Sequence, residues 1–221
     1  MSEMKSQEDA VVGNDGSVVM GNNLLLFLPG TDTQDRKFIK DSLCWAEYQA
    51  DRYHHRQRDP AAWFERYSGE LWSVGWSLEH APVIVVDRHF SGDVLDAWAK
   101  SVANEVSRVT AQQMKQTFQK LEDEPRAVDL VTASSSKWGD FRFLPARRNV
   151  HNELEIVLSN VRLLSLEWNR NYFFWNVPYS ATQLDIQSRR FVTTAKEIKK
   201  HSAALSEAVA ELRFREIELS V

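Results

Sequence analysis

The sequence has little of several residue types, and each shortage excludes a class of protein. A single cysteine, Cys44, stands among 221 residues, so no disulfide can form within the chain and a disulfide-built fold is excluded. The eight glycines form neither of the standard glycine-rich phosphate-binding loops. The formal net charge of −4 lacks the basic excess that binding to nucleic-acid phosphates requires. We therefore expect neither a nucleotide-binding loop nor a nucleic-acid partner.

Long hydrophobic runs are also missing. No stretch approaches the ~20 apolar residues that cross a bilayer as a helix. The first apolar run, Leu24 to Leu28, is too short and too late for a signal peptide. We expect residues 1–20 to be a disordered lead-in, in which a strand beginning near Val18 is the alternative for the last residues, and residues 21–221 to form a single α/β domain. The expected location is the cytoplasm of the producing cell, with any release occurring by a route that needs no signal sequence.

Aromatic residues are plentiful, with eight tryptophans and eleven phenylalanines, and they are concentrated between Asp59 and Trp76. Asp59 suits the N-cap of a helix, Pro60 its first position, and Gly75 the left-handed residue that ends it. Between these ends, five apolar residues recur at helical spacing and form one wide face: Trp63, Phe64, Tyr67, Leu71 and Val74. We expect this face to be buried in the protein's own core; burial against a partner is the alternative.

A second helix is predicted immediately before this one. Thr31 and Gln34 have capping-box spacing. An apolar side follows, made of Phe38, Ile39, Leu43, Ala46 and Ala50. This helix is expected to end near Arg58, so the two helices should pack as an antiparallel hairpin.

The remaining elements follow from the hydrophobic period. A strand covered on both faces is predicted over Pro82–Val86. A long helix is predicted from Ser91 or Asp93 to Pro125; two helices with a bend near Thr110 are the alternative. Further strands are predicted over 24–28, 128–132, 141–144, 154–158, 161–168, 172–179 and 217–221, a polar loop over 133–140, breaks at 159–160 and 169–171, and a last helix from Thr194. This order predicts an α/β (α+β) fold: a mostly antiparallel sheet covered by an N-terminal helix pair, a long central helix and a C-terminal helix.

Residues with catalytic or metal-binding chemistry give a weak signal. Glu47, Asp51 and His55 are four residues apart and share a helical face, which is half of a metal site in a helix bundle. The matching half is missing, so a charged, solvated face is the favoured interpretation. We expect no metal and no cofactor. An enzyme would need distant loops to bring together acid–base groups such as His89, His151 and Asp140.

Trp138 lies in the polar segment Ser134–Asp140, where no periodic pattern explains it. Amphipathic aromatic side chains in loops suit interfaces with membranes or partners. We therefore select Trp138 and its neighbour Lys137 as contact residues; a plug folded over the sheet edge is the alternative. Trp72 and Trp76 fall outside the aromatic seam and are selected as further contact residues.

The element order from about Leu24 to Val221 resembles that of the Cyt-type cytolytic toxins and the Evf-like virulence proteins. The strands Glu153–Trp168 and Asn171–Tyr179 carry the nearest match. The resemblance implies a single-domain α/β protein that binds or acts on lipid membranes, with helix hairpins able to move away from the sheet. In the virulence-protein branch a cysteine carries a fatty acid, which makes Cys44 a candidate for modification. Cys44 lacks a matching surround, however, and beside Leu43 and Trp45 it is typical of a small buried hydrophobic residue.

Together these observations favour a soluble effector or toxin-like protein that works by contact with membrane lipid or with a protein, without a cofactor. The alternative is an intracellular interaction module or a homo-oligomer joined through an exposed aromatic patch. An enzyme with a site assembled from loops is the third hypothesis.

Overall fold

The computed structural model describes residues 16–164, 176–212 and 216–219. Within these residues, six helices and eight strands are present, and the strands form one sheet. The strands are β1 (Gly16–Met20), β2 (Asn23–Phe27), β3 (Ser77–Leu78), β4 (Val83–Asp93), β5 (Asp140–Arg148), β6 (Leu154–Leu164), β7 (Asn176–Thr193) and β8 (Glu216–Leu219). The helices are α1 (Thr33–Tyr53), α2 (Pro60–Ser73), α3 (Val94–Ser101), α4 (Arg108–Glu122), α5 (Pro125–Trp138) and α6 (Ala195–Val209). The predicted α/β fold class is confirmed.

The sheet is mostly antiparallel, as predicted. Its strand order is β3-β7-β6-β5-β2-β1-β8, with β4 paired beside β3 along β7. β2 and β5 form a parallel pair, from Asn23 opposite Arg142 to Phe27 opposite Ala146. Parallel neighbours need a long crossover connection, and the chain from α1 to α5 supplies it.

Helices cover both faces of the sheet. α1, α2 and α6 pack on one face, called here the hairpin face; α3, α4 and α5 pack on the other, called here the apolar face. Side chains alternate along β5, so this strand contributes to both layers. Leu144 contacts the core of the hairpin face, whereas Phe141 and Phe143 belong to the core of the apolar face.

α1 has the predicted capping box, displaced by one residue. The N-cap is Asp32 rather than Thr31: its carboxylate accepts from the N–H of Asp35 at 2.7 Å, and the Asp35 carboxylate accepts from the N–H of Asp32 at 3.3 Å. α1 ends at Tyr53, earlier than the predicted end near Arg58. Its predicted apolar side is buried: Phe38, Ile39, Leu43, Ala46 and Ala50.

α1 and α2 form the predicted antiparallel hairpin. Near the end of α1, Trp63 Nε1 donates to Asp51 at 2.7 Å. In the middle of α1, the hydroxyl of Ser42 accepts from Trp76 Nε1 at 3.0 Å. Asp59 occupies the N-cap position of α2 but makes no side-chain hydrogen bond there. The predicted aromatic face is buried in the protein's own core, with no member more than 7% exposed: Trp63, Phe64, Tyr67, Leu71 and Val74.

The strand predicted over Pro82–Val86 is not covered on both faces. It is the first part of β4, which among the described strands pairs only with β7. Ile84 is 63% exposed and Val86 is 53% exposed, while Val83 and Val85 are half-buried. The β-branched run therefore reflects strand propensity and one covered face.

The predicted long central helix is two helices, which was the alternative, and the break lies between Ser101 and Arg108, shortly before the predicted bend near Thr110. The predicted stop at Pro125 begins a third helix. Asp93 caps α3 and Ser107 caps α4, each accepting from the N–H three residues later. Pro125 lies in the first turn of α5, where a missing N–H costs no hydrogen bond. Proline here starts a helix instead of ending one.

The strand predicted over 128–132 and the polar loop predicted over 133–140 are both wrong, because α5 spans Pro125–Trp138. Ala127 and Val131 are four residues apart and both are fully buried in the core of the apolar face. Gly139 follows the helix with a φ of 73°, the left-handed geometry that ends helices. The polar serines of this segment therefore belong to a helix.

β6 runs unbroken through the predicted break at 159–160. Ser159 is buried there and accepts from the hydroxyl of Ser188 on β7 at 2.8 Å, so a polar pair is satisfied inside the sheet.

Thr194 caps α6 and β8 closes the sheet, as predicted. β1 begins at Gly16, inside the predicted lead-in; residues 1–15 and the turn predicted at 169–171 lie outside the described residues. None of the described helices combines the length and apolar character of a bilayer span.

Candidate functional site

An ion cluster is buried where the hairpin meets the sheet. Arg142 on β5 is fully buried, and its Nη2 donates to Glu47 Oε2 on α1 at 2.8 Å. The same nitrogen donates to the side-chain oxygen of Asn22. Asn22 in turn donates to Asp140 Oδ1 at 2.6 Å. Arg56, which is 2% exposed, places Nη2 3.1 Å from Glu47 Oε2 and Nε 3.9 Å from Asp140 Oδ2. These five residues are called here the arginine cluster.

The aromatic face of α2 covers the arginine cluster. The guanidinium carbon of Arg56 lies 3.9 Å from the centroid of the Trp63 ring, and that of Arg142 lies 4.9 Å from the centroid of Tyr67. Trp63 and Tyr67 stack on each other with centroids 5.1 Å apart. Cations over desolvated aromatic rings gain up to about 2 kcal/mol each. The aromatic residues of α2 therefore cover two buried arginines as well as filling the core, which hydrophobic spacing alone does not reveal.

The charges in this cluster hold one another ionised. Burial raises the pKa of Glu47, but Arg56 and Arg142 outweigh it and lower that pKa from 4.5 to about 2. Burial opposes the charge of Arg142, but Glu47, Tyr67 and Asp140 raise its pKa above the ordinary value. Burial raises the pKa of Tyr67, so the phenol stays neutral. Because each buried charge depends on its counter-ion, the cluster is a fixed structural unit.

Two further ion pairs join the hairpin to the sheet. Arg148 on β5 donates to both carboxylate oxygens of Asp35 on α1, at 2.9 and 2.5 Å. Arg189 on β7 donates to Glu65 on α2 and lies over the ring of Phe64, 5.3 Å from its centroid. With the arginine cluster, these pairs attach both helices of the hairpin to the sheet.

The opposite surface of the hairpin is exposed and carries aromatic and basic side chains. Tyr53 is 60% exposed, Trp72 is 59% exposed and Tyr48 is 39% exposed. Arg52 lies over the rings of Tyr48 and Tyr53, at 5.6 and 6.0 Å from their centroids, and Arg66 lies 4.5 Å from the Tyr53 centroid. Arg66 also pairs with Glu70 at 2.5 Å. Trp72 lies six residues after Arg66 along α2, about 9 Å farther and about 120° around the helix, so it extends the exposed surface to another side of α2. Tyr48, Arg52, Tyr53, Arg66 and Trp72 are called here the outer hairpin surface.

The selected contact residues have different surroundings. Trp72 belongs to the outer hairpin surface, whereas Trp76 is 2% exposed, bonded to Ser42 and stacked on Phe38, so it offers no contact surface in this conformation. Gly75, with a φ of 95°, turns Trp76 back into the core. The backbone of Lys137 and Trp138 lies in the last turn of α5, and their side chains are outside the described part of the structure.

Cys44 is 6% exposed, and its thiol faces the carbonyl of Leu212 at 3.9 Å. The burial agrees with its interpretation as a small hydrophobic residue. Acylation of this thiol would require the contact between α1 and the residues after α6 to open.

The residues considered for a metal site or for an acid–base site are not brought together in the structure. Glu47 belongs to the arginine cluster and not to a solvated face, and Asp51 accepts from Trp63; partial burial raises the pKa of Asp51. No group of three or more His, Cys, Asp or Glu side chains suited to a metal occurs among the described residues. Asp140 is buried in the arginine cluster, while His89 and His151 are exposed on β4 and on the β5–β6 turn.

A second buried carboxylate lies on the apolar face of the sheet. Glu155 on β6 accepts from Arg147 Nε at 2.8 Å and from Arg190 Nη2 at 2.6 Å. It also borders a shallow surface cleft, together with Glu105 and Thr110. Because Glu155 is paired with two arginines on neighbouring strands, it stabilises the sheet and is a poor general base.

The comparisons with known proteins give a weak structural likeness. No family model and no curated protein matches the sequence. A solved structure titled "Structure of the Evf virulence factor" has a TM-score of 0.37 and 9% sequence identity, over 90% of this chain and 82% of that chain. The chain is therefore weakly similar in structure to a virulence factor.

Proposed function

We propose that this protein is an effector or toxin-like protein that acts by contact with the surface of a lipid membrane, without a cofactor, through the outer hairpin surface. The observation that carries the proposal is the group of exposed aromatic and arginine side chains on α1 and α2. Tyr53 and Trp72 are both about 60% exposed, although the other face of the same helices is fully packed.

The chemistry of this surface fits the interfacial layer of a bilayer. Tyrosine and tryptophan side chains favour the headgroup region, because their rings are apolar and their polar atoms remain hydrated. Arg52 lies over the rings of Tyr48 and Tyr53, and no ion pair joins it to an acidic side chain among the described residues. A basic side chain near an anionic leaflet contributes roughly 1 kcal/mol. Anionic lipid is therefore the preferred target.

The arginine cluster favours contact by the folded protein over release of the hairpin. If α1 and α2 left the sheet, the hydrogen bond between Arg142 and Glu47 would be lost and the buried aromatic face of α2, including Trp63 and Tyr67, would be exposed to water. Mild acid does not remove this barrier, since the pKa of Glu47 is about 2. The hairpin is thus a fixed layer with one exposed face, and the membrane contact uses that face as it stands.

Vesicle flotation tests the proposal. The protein is mixed with vesicles of phosphatidylcholine alone or of phosphatidylcholine with phosphatidylserine, at pH 7 and at pH 5. We expect flotation with the anionic vesicles and its loss in the double variant Tyr53→Ala/Trp72→Ala. The matched control is Val109→Ala/Val150→Ala, which removes two side chains that are 68% and 96% exposed on other surfaces.

Failure to float with either vesicle at either pH would remove membrane contact as the function. Flotation that the double variant leaves intact would assign the contact to another surface. Circular dichroism of each variant confirms that the fold is retained, which is expected because the truncated side chains are exposed.

A further inference from the structure

One edge of the sheet carries an unprotected apolar run. β4 pairs with β7 along one side, and no described strand pairs with its other side. Natural edge strands are usually protected by charge, proline or bulges. In β4 the proline, the charges and the irregular pairing all lie outside Val83–Val86. Pro82 precedes this run. Asp87 and Arg88 follow it, as do the register shifts between Asp87 and Gly92. The segment Val83–Val86 is called here the β4 edge.

The β4 edge also exposes aliphatic side chains. Ile84 is 63% exposed and Val86 is 53% exposed. Ile84 stands opposite Gln187 and Val86 opposite Asp185 on β7, so both lie on the hairpin face beyond the area that α1 and α2 cover. An apolar strand with free backbone groups is a template for adding another strand.

We propose that a second copy of this chain pairs its own β4 edge antiparallel to this one, about a two-fold axis at Val85. Such a contact is isologous, because each copy supplies the same surface. It rests on the β4 edge alone and is independent of the proposed membrane contact. The sheets of the two copies become continuous across the junction.

The sequence of the β4 edge selects this register. An axis perpendicular to the sheet keeps the faces aligned, so residues of the same parity must oppose each other. With the axis at Val85, Ile84 of each copy faces Val86 of the other, and both exposed aliphatic side chains gain an apolar cross-strand neighbour.

Neighbouring registers are less favourable. An axis at Asp87 would set like charges opposite each other, which is destabilising. An axis at Val86 would set Ile84 against the charged Arg88, so Ile84 would have no apolar neighbour across the junction. An axis at Ile84 would set Val86 against Pro82, which has no N–H to donate to the ladder. With the axis at Val85, Asp87 faces Val83 and Arg88 faces Pro82 of the opposite copy, so these charged residues stand at both ends of the paired segment, outside the two Ile84–Val86 pairs.

Cysteine cross-linking tests the register. In the proposed pair the two Val85 Cα atoms lie roughly 4.5–5.5 Å apart, within reach of a disulfide. The native Cys44 is buried and gives little background. We expect Val85→Cys to form a covalent dimer under mild oxidation, and the matched control Val150→Cys, at a side chain that is 96% exposed, to remain monomeric.

Sedimentation tests the association without new cysteines. The unmodified protein should sediment as a dimer at high micromolar concentration, and Val86→Lys should make it a monomer, because two lysines would then face Ile84 of the opposite copy. Val150→Lys is the control and should stay dimeric. A monomeric unmodified protein, a dimeric Val86→Lys variant, or no excess of cross-linking by Val85→Cys over Val150→Cys would each overturn the proposal.

Discussion

The two faces of the sheet are attached to their helices by different physics. On the hairpin face, each helix of the α1–α2 pair makes ion pairs to the sheet, through Glu47, Asp35 and Glu65. On the apolar face, the described residues show no ion pair between a helix and a strand; Trp98 and Phe118 pack on Phe143 instead.

The two kinds of attachment differ in how strictly they fix the position of a helix on the sheet. An apolar contact is proportional to buried area and tolerates small shifts. A buried ion pair requires its partner at one position, since each unpaired charge is costly. The hairpin face is therefore fixed in place and sensitive to charge, whereas the apolar face is expected to respond to volume alone.

The largest expected effect is that of Glu47→Gln. The substitution keeps the shape of the side chain but leaves Arg142 and Arg56 without the shared carboxylate, so the free energy of unfolding should fall by about 3–5 kcal/mol. Urea denaturation measures the change. The double variant Glu47→Leu/Arg142→Met should recover part of the loss, because Arg142 is removed together with Glu47, while Arg56 keeps Asp140 at 3.9 Å. An equal loss in single and double variants would show that the ion pair is not the cause.

Acid should weaken the hairpin face selectively. The pKa of Glu47 is about 2 when folded and 4.5 by default, so its contribution is complete above pH 4.5 and is lost as the pH falls towards 2. The difference between the two pKa values corresponds to about 3 kcal/mol of unfolding free energy. The unfolding free energy of the wild type, measured from pH 7 to pH 2, should therefore fall more steeply than that of Glu47→Gln. Parallel pH profiles of the two proteins would contradict the assignment.

A matched pair of volume changes compares the two faces directly. Ile156→Val removes a methylene from the hairpin face and Ile186→Val removes one from the apolar face; both residues are fully buried. Each should lose about 1 kcal/mol of unfolding free energy. Neither loss should depend on pH between 3 and 7, which distinguishes packing from the ionic attachment. A pH-dependent loss at Ile156 alone would mean that packing and charge are coupled on the hairpin face.

The apolar spacing of α2 and the antiparallel sheet could be predicted because they depend on neighbours in sequence. The arginine cluster could not, since Arg142 and Glu47 are 95 residues apart. One signal was available: Arg142 interrupts the apolar run Phe141–Leu144, and a charge in such a run needs a buried counter-ion. The prediction of a strand and a loop over 128–140 was wrong because β-branched and serine residues there obscured the helical spacing of Ala127 and Val131.

The smallest expected effect concerns an ion pair within the helices of the apolar face. Lys115 on α4 donates to Asp96 on α3, and its bond lowers the pKa of that carboxyl. Asp96 is about half exposed, so water and salt screen the pair. Lys115→Gln should therefore change the unfolding free energy by less than about 1 kcal/mol, and added salt should abolish the difference. Urea denaturation at low and high salt checks this, with Glu47→Gln as the reference. A loss comparable to that of Glu47→Gln would mean that the apolar face also depends on charge, and the contrast between the two faces would no longer hold.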